Sequence, residues 1–434
     1  MKNNSVLAQK LIGRIPNDWS YIHFKDIYQN PIRDFGSFSS TKLITFLDDG
    51  TSFIKSEMIK EGLIDWSSTQ YISKDVHKLL KKSYVDKDTI LFSKIGSALG
   101  KAVVYRGERG ICNSNAAVAK IELNDKVADN FYYCYLLNNP LAKKQFLRLI
   151  ISLLPRINLG DISSLILPLP PLPEQRKIAK TLSTWDKAIA TTEKLIDASK
   201  QQKKALMQQL LTGNKRLVNP DTGKAFEGEW EEIKLGDVCS KITDGAHHSP
   251  KSVDIGYPMY SVKDMSPRGF TENSARHISQ SDFDSLVKQN CKPDINDILI
   301  AKDGSILKYC FVVKNEIEGV ILSSIALLRP KLNKVVPDFI AQYFSQEYIK
   351  VFVGKVLTSG SGVPRIILKD FKGIHLKIPP VNEQQKIASV LTAADNEIEV
   401  LAAKLSHLKQ EKKALMQQLL TGKRRVLVEE TVAA

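Results

Sequence analysis

The stretch KKALMQQLLTG occurs at residues 203–213 of this chain and again at residues 412–422. Extending the comparison toward the N-terminus gives KQQKKALMQQLLTG and KQEKKALMQQLLTG, which differ at one position and lie 209 residues apart. A near-identical segment of this length at one long spacing is the signature of an internal repeat. The 434-residue chain is therefore predicted to contain two copies of one unit.

The repeat extends upstream of these segments. PLPEQRKIA at 171–179 matches PVNEQQKIA at 380–388, and PRI at 155–157 matches PRI at 364–366, all at the same spacing. Farther upstream the spacing falls to 208 residues, where DKDTILFSKIGS (86–97) lies over DINDILIAKDGS (294–305). The changing spacing indicates that loops differ in length while the elements between them are retained.

Each repeat is predicted to be a mixed α/β body followed by one long helix. Short apolar or alternating runs and a few helical segments fill each body, and proline-rich connectors (LPLPPLP at 167–173, KIPPV at 377–381) separate it from the helix. We call these bodies the first and second heads. The predicted boundaries are a first head at 1–170, a first helical region at 171–214, a second head at 215–379, a second helical region at 380–422 and a basic-then-acidic tail at 423–434.

Apolar residues in the two helical regions alternate at spacings of four and three. A period of 3.5 residues over about five heptads predicts a coiled-coil seam. Polar seam residues (Thr192, Ser199, Lys203 and Lys412) are expected to set the register. The predicted seam consists of Ile178, Leu182, Trp185, Ile189, Ile196, Leu206 and Leu210 in the first helix and Ile387, Leu391, Ile398, Leu405, Leu415 and Leu419 in the second.

Parallel and antiparallel pairing of the two helices are both compatible with this pattern. Antiparallel pairing relates the two copies by a pseudo-twofold axis and is the arrangement we expect, with about 38 helical residues giving a length of roughly 57 Å. The alternative is that each helix packs only on its own head. The predicted fold class is thus two mixed α/β heads separated by an antiparallel coiled coil.

Composition narrows the class of partner. The net charge of +15 favours a polyanion, with nucleic acid as the first candidate. No apolar run is long enough to span a membrane, no secretory signal is recognisable at the N-terminus, and the five dispersed cysteines indicate neither a disulfide framework nor a zinc site. These features favour a cytoplasmic protein that has no membrane partner.

Catalytic motifs are not expected in this chain. Gly96–Lys101 differs from a phosphate-binding loop in its spacing and lacks the hydroxyl residue after lysine. Asp221, Glu232 and Lys234 imitate the acid–acid–lysine pattern of metal-dependent nucleases, but Asp221 lies in a glycine-rich linker and the other repeat lacks the pattern. His247 and His248 have no ligand partners at helical spacing, so we expect no catalytic residue, metal or cofactor in this chain.

The paired motifs PLPEQRKIA…KKALMQQLLTG and PVNEQQKIA…KKALMQQLLTG resemble those of specificity subunits of type I restriction–modification enzymes, over essentially the whole chain. The resemblance implies two target-recognition domains, each reading one half of an asymmetric bipartite site in double-stranded DNA. It implies that the helices set the gap between the half-sites and dock two modification subunits, which use S-adenosylmethionine to methylate adenine N6. Two restriction subunits would add ATP- and Mg-dependent translocation and cleavage.

Candidate DNA contacts are basic or polar residues in loops of the heads. Residues shared by both repeats, such as Lys94 with Lys302, Arg156 with Arg365 and Lys55 with Lys263, are expected to contact phosphate. Residues that differ, such as His247, are better candidates for base edges. The full set is Lys55, Lys94, Ser97, Lys101, Arg106, Arg109 and Arg156 in the first head and His247, His248, Lys251, Lys263, Lys302, Lys308 and Arg365 in the second.

Two other functions remain open at this point. The chain could serve a different restriction system whose single partner combines methyltransferase and nuclease, or it could be a solitary two-headed DNA-binding protein. The proteins with which it assembles distinguish these functions.

Overall fold

The computed structural model describes residues 2–36, 38–148, 155–271, 274–359 and 362–428. The chain divides into two compact units, one running to Thr192 and resuming at Lys404, the other comprising Glu193–Ala403. Each unit contains one head and a segment of both long helices. The predicted boundaries divide the chain into consecutive segments. In the structure, by contrast, the end of each long helix belongs to the compact unit that contains the head of the other repeat.

The first unit is built on two four-stranded sheets, with strand orders β2-β9-β6-β7 and β4-β3-β8-β5, and a β1-β10 pair. The first sheet is antiparallel, and β3 and β8 are parallel within the second. The elements are α1 Lys2–Ile12, β1 Ser20–His23, β2 Tyr28–Arg33, β3 Thr51–Ile54, β4 Gln70–Ile72, α2 Lys74–Leu79, β5 Tyr84–Val85, β6 Ile90–Ser93, β7 Ala102–Val104, β8 Cys112–Ser114, β9 Val118–Leu123, α3 Asn130–Asn138, α4 Pro140–Leu147, α5 Leu159–Ser163, β10 Ile166–Leu169 and the long helix α6 Leu172–Leu210.

The second unit repeats this plan. Its main sheet has the order β12-β20-β17-β18, a second sheet has the order β16-β13-β19 with β13 and β19 parallel, and β11 pairs with β23. The elements are β11 Glu231–Lys234, α7 Leu235–Val238, β12 Cys239–Asp244, β13 Tyr257–Tyr260, β14 Met265–Ser266, β15 Gly269–Phe270, β16 Arg276–Ile278, α8 Gln280–Lys288, β17 Ile298–Ala301, β18 Cys310–Val312, β19 Val320–Ile321, β20 Ile325–Pro330, α9 Pro337–Phe344, α10 Glu347–Val356, β21 Thr358–Ser359, β22 Arg365–Ile366, α11 Leu368–Lys372, β23 His375–Ile378 and the long helix α12 Val381–Leu419.

The predicted fold class of mixed α/β heads with long helices is confirmed. Among the helices that the structure describes, none is both long and apolar enough to cross a lipid bilayer.

The long helices run antiparallel within each unit. In the first unit the Nζ of Lys412, near the end of α12, lies 2.5 Å from Oδ1 of Asp186 in the first half of α6. In the second unit the Nζ of Lys203, near the end of α6, lies 2.6 Å from Oδ1 of Asp395 in the first half of α12. The two predicted seam lysines are therefore held by aspartates on the facing helix, an arrangement suited to setting the register.

The repeated KKALMQQLLTG segments complete the cores of the heads. Leu419 and Leu420 pack in the first core with Ile178 and Leu182 from the start of α6. The second core contains the matching set Leu210, Leu211, Ile387 and Leu391. All the predicted seam side chains are buried or half-buried. Each helix thus packs on its own head at its start and on the core of the other unit at its end.

Both segments end at a Thr-Gly pair whose glycine has a positive φ. Gly213 has φ +75° and Gly422 has φ +69°, values that an L side chain rarely adopts. A Cβ on Gly422 would also lie 2.3 Å from the Cδ of Pro16. Glycine at 422 is therefore required by both the backbone conformation and the available space.

The Glu-Gln pair at the start of each long helix is buried. Glu174 accepts hydrogen bonds from the indole of Trp19 (2.9 Å) and from Nε of Arg425 (2.6 Å). Glu383 accepts from Nε and Nη2 of Arg216 at 2.7 and 2.6 Å. Arg425 follows the end of α12, and its partner Glu174 lies at the start of α6. Arg216 follows the end of α6, and its partner Glu383 lies at the start of α12. The ion pairs therefore join the start of each long helix to the residues that follow the other.

The adjacent glutamines satisfy backbone carbonyls of the connectors and of the loops before α3 and α9. Gln175 donates from Nε2 to the carbonyls of Val127 and Pro170, and Gln384 donates to the carbonyls of Lys334 and Pro379. Both side chains are fully buried. The helix dipole favours a carboxylate at this place, but these contacts explain why the repeat retains Glu followed by Gln.

Arg216→Ala should strongly destabilise the second unit. It leaves the fully buried Glu383 carboxylate without its counter-ion, which costs about 3 kcal/mol of unfolding free energy. Urea denaturation should show this loss, whereas Lys215→Ala, at an exposed neighbouring residue, should change stability little. Adding Glu383→Gln to Arg216→Ala should recover most of the loss, and failure to recover would contradict the role given to the buried charge.

The Lys203–Asp395 pair should behave as a register contact. Lys203→Asp should destabilise the helix pair because it faces Asp395, and Asp395→Lys in the same chain should restore much of the stability. A double-mutant cycle should give a coupling energy of about 1–2 kcal/mol. Additive effects of the two substitutions would show that the pair does not contribute to helix register.

Candidate functional site

The loops that carry many of the predicted contact residues are built alike in the two heads. Between β6 and β7, the amide of Ile157 donates to the carbonyl of Lys94 (2.9 Å), and Ile95 forms a bridge with Arg156. Between β17 and β18, the amide of Ile366 donates to the carbonyl of Lys302 (3.1 Å). These contacts place each matched arginine beside the loop that follows the central strand of its sheet.

Lys94 and Lys302 are buried, which contradicts the expectation that they contact phosphate. Their exposed fractions are 2% and 4%. The ammonium of Lys94 lies 2.7 Å from Asp34, and that of Lys302 lies 2.8 Å from Asp244. In both heads this repeated ion pair ties the central strand to the end of β2 or β12, which is a structural role.

The second head connects three of the predicted residues through two aspartates. Asp244 contacts both Lys302 and Nε2 of His247, the latter at 3.1 Å. Asp303 contacts Lys302 at 3.7 Å and Nε of Arg365 at 3.1 Å. The imidazole and the guanidinium remain exposed at the two ends of this network, so it presents donors to solvent while its centre is neutralised.

The corresponding place in the first head differs in charge. Ile95 stands where the second head has Asp303, so no carboxylate occupies that position beside Arg156. Ser97 and Arg156 are exposed, and Lys101 is half-buried. The charge of Arg156 in the first head is therefore less neutralised than that of Arg365 at the same place in the second head.

The predicted equivalence of Lys55 and Lys263 is wrong by two residues. Strand β3 ends at Ile54 and pairs in parallel with β8, whereas β13 ends at Tyr260 and pairs in parallel with β19. In this register Ser261 matches Lys55, and Lys263 matches Glu57. The half-buried Lys55 packs over the ring of Phe46 at 4.7 Å, while Lys263 is exposed.

The remaining predicted residues are exposed, and several lie on aromatic rings. Arg109 lies 4.6 Å from the ring of Trp66 and donates from Nη1 to the hydroxyl of Tyr71 at 3.1 Å. Arg106 lies over Phe131, and Lys308 lies over Tyr309. Such contacts restrict the cationic side chains while leaving their charge accessible. His248 and Lys251 are also exposed, in the loop after β12.

The residues of the two motif imitations lie in turns and on one edge of a strand pair. Asp221 is exposed in a turn within the linker, and Glu232 and Lys234 point to solvent from β11. Gly96–Lys101 forms the turn between β6 and β7 rather than a loop leading into a helix. Among the described residues, no group of three or more His, Cys, Asp or Glu side chains is arranged to hold a metal ion.

Lys120 is a buried lysine that the sequence analysis missed. Its ammonium donates to the carbonyls of Asp34 and Lys82 at 2.8 and 2.5 Å. Burial, together with the charge of Arg33, lowers its pKa to about 7. The strand register places Leu327 at the equivalent position of the second head. A lysine in one repeat opposite a leucine in the other is the sequence signal that could have identified Lys120 as a buried lysine.

The contribution of Lys120 to the stability of the first unit should grow as the pH rises from 7 to 10. In this range the unfolded chain, with a lysine pKa of about 10.4, binds a proton that the folded chain has released, so the unfolding free energy increases with pH. Relative to Lys120→Met, the wild type should gain on the order of 2–4 kcal/mol. Chemical denaturation at several pH values measures this, and parallel pH profiles would contradict a depressed Lys120 pKa.

The repeated heads match a family described as the type I restriction modification DNA specificity domain. Its model covers residues 16–200 and again residues 227–410. The chain belongs to this family. Both specificity domains include a head and most of the helix that follows it, in agreement with the duplication derived from the sequence.

Related chains match this one over most of their length. The type I restriction enzyme MjaVIII specificity subunit of Methanocaldococcus jannaschii is 26% identical over 432 residues, covering 95% of this chain and 94% of the relative. The EcoKI specificity subunit of Escherichia coli K12 is 21% identical over 388 residues, covering 86% and 82%. The S subunit of a type I restriction–modification system from M. genitalium superposes with a TM-score of 0.60 over 94% of this chain and 98% of that one, at 16% identity, which shows a common fold.

Proposed function

We propose that this chain recognises an asymmetric bipartite DNA site for a type I restriction–modification complex. The observation that carries the proposal is the occurrence of two specificity domains in one chain, each with an exposed arginine at the same place, Arg156 or Arg365. Cations shared by both heads suit phosphate contacts common to both half-sites. The differing neighbours, Ile95 and Asp303, and the His247 loop suit the reading of different bases.

The paired helices are proposed to fix the gap between the half-sites. In support, α6 and α12 each contain 39 residues and are held in register by lysine–aspartate pairs at matching places. A register that cannot slide is what a spacer between two recognition domains requires.

Catalysis is assigned to partner subunits. Two modification subunits carrying S-adenosylmethionine would methylate adenine, and two restriction subunits would supply ATP- and Mg-dependent cleavage. The purified chain should bind DNA but neither methylate nor cut it when these cofactors are added. Asp221→Ala provides the control for the nuclease-like pattern, because any turnover that it abolished would reverse this assignment.

Methylome sequencing tests the function directly. A host that expresses the chain with its cognate modification subunit should gain methylated adenines in one bipartite motif, which disappears when this gene is deleted. Replacing residues of about 15–165 with the head of a relative should change only one half of the motif. A motif that persists after deletion, or a change in both halves, would contradict the proposal.

Arg156→Ala and Arg365→Ala should each weaken DNA binding without changing base preference. Loss of one phosphate contact should reduce the slope of log K against log salt by roughly 0.9. Fluorescence anisotropy at several salt concentrations measures the slope, and Lys94→Met serves as the control because that buried residue should alter stability and leave the slope unchanged. An altered base preference with an unchanged slope would assign the arginines to base contacts.

One added heptad in each long helix, inserted at matched places, should lengthen the gap. Seven residues add about 10 Å, or about three base pairs, and preserve the 4–3 seam. The added length also turns the second half-site by roughly 100° around the duplex, so binding should weaken. Methylome sequencing should show unchanged half-sites separated by about two to four more base pairs. Undiminished methylation at the original gap would refute the spacer role.

A further inference from the structure

Each head contains two consecutive helices, α3 and α4 in the first head and α9 and α10 in the second. The heads differ in what packs against the second helix of this pair. In the first head, α1 packs against α4 and β10. The side chains of α4 and β10 on the covered side are apolar or internally bonded: Leu141 and Ile166 are 9% and 7% exposed, and Gln145 bonds the backbone of Ile166.

Among the residues of the second head that the structure describes, none forms a segment equivalent to α1. The residues before β11 are the linker that follows α6, with a bridge between Val218 and Ala225. The outward residues of β23, His375 and Lys377, are exposed, whereas their matches on β10, Ile166 and Pro168, are buried. The absence of a covering helix thus leaves this strand accessible.

Helix α10 is nevertheless apolar on its uncovered side. The buried residues Ile349 and Val353 correspond to Ala142 and Phe146 of α4, so Tyr348 and Phe352 correspond to Leu141 and Gln145. Tyr348 is 54% exposed and Phe352 is 44% exposed. Val351 and Val356 are exposed on the same side, since residues three, four and eight apart share one helix face. We call these four residues the α10 face.

An exposed cluster of large apolar side chains on one helix face is typical of a docking surface. We propose that the α10 face binds an acidic amphipathic helix of a partner subunit, in the way that α4 binds α1 in the first head. The charge of the partner follows from the balance of charges around the face. Lys355 lies on the same side of α10, and His375 and Lys377 are exposed on β23, the strand equivalent to the one that α1 contacts in the first head, whereas Glu347 is the one carboxylate of α10 at the edge of the face. The α1 segment of a second copy is basic, with Lys10 and no acidic residue, and is less complementary.

The first experiment uses the full chain and defined peptides. A fluorescein-labelled, helix-stapled peptide with the sequence of residues 2–12, carrying Lys2→Glu and Lys10→Glu, should bind the chain in an anisotropy titration. The unsubstituted basic peptide should bind at least tenfold more weakly. Tyr348→Ser/Phe352→Ser should reduce the affinity for the acidic peptide at least tenfold, while Ile255→Ser, at an apolar residue of the same unit that is 93% exposed, should leave it unchanged. Failure of the acidic peptide to bind would overturn the proposal.

The second experiment identifies the source of the helix and rests on the proposed function. A photo-crosslinking amino acid at Phe352, in the chain co-purified with the modification and restriction subunits encoded beside it, should form a cross-link to an acidic helix of one of them. The double variant should still bind DNA but lose that subunit at concentrations where Ile255→Ser retains it. Cross-links that join two copies of this chain, or full retention of every subunit by the double variant, would overturn the proposal, whereas loss of DNA binding by the wild type would refute only the proposed function.

Discussion

The buried carboxylate at the first turn of each long helix is the contact on which the arrangement of the chain depends. Glu174 and Glu383 are almost completely buried, and each is neutralised by an arginine that follows the other helix. A buried charge without its partner is strongly unfavourable, so the start of α6 and the residues after α12 must fold together, as must the start of α12 and the residues after α6. The apolar ends of the helices are thereby brought into cores that neither repeat could complete from its own residues.

Differences between the repeats are informative because the common framework is fixed. The Lys94–Asp34 and Lys302–Asp244 pairs hold the same strands in both heads, and their burial removes them from the exposed surface. Against this constant background, Ile95 and Asp303 give the neighbouring arginines different electrostatic environments. The ammonium of Lys120 donates hydrogen bonds to backbone carbonyls, whereas the second head has Leu327 at the equivalent position. Variation is thus found in residues that change the local charge while the strand register is retained.

Antiparallel pairing was the expected arrangement although the heptad pattern also allows parallel helices, whereas the duplication and the fold class were predictable because they depend on patterns that occur twice. Glycine at 213 and 422 was predictable for the same reason, since a helix stop has a local sequence signal. Lys94 was wrongly predicted to contact phosphate because a DNA-binding loop lysine and a buried lysine look the same in sequence until Asp34, 60 residues away, is placed beside it. The Lys55–Lys263 error has a different origin: unequal loops let identical residues align, whereas the strand pairing fixes which positions correspond.

The arginines at 216 and 425 were missed as partners of the glutamates for a physical reason. Each lies in the short segment after a predicted helix, where a basic residue is ordinarily a solvated charge or a favourable neighbour of the helix C-terminus. Its actual partner is separated from it by 167 residues in one unit and 251 in the other, and only the antiparallel arrangement brings them together. The segment after KKALMQQLLTG therefore belongs to the repeat as fully as the helix does, and the tail that sequence reasoning separated at residue 423 contains a residue, Arg425, that the first unit requires.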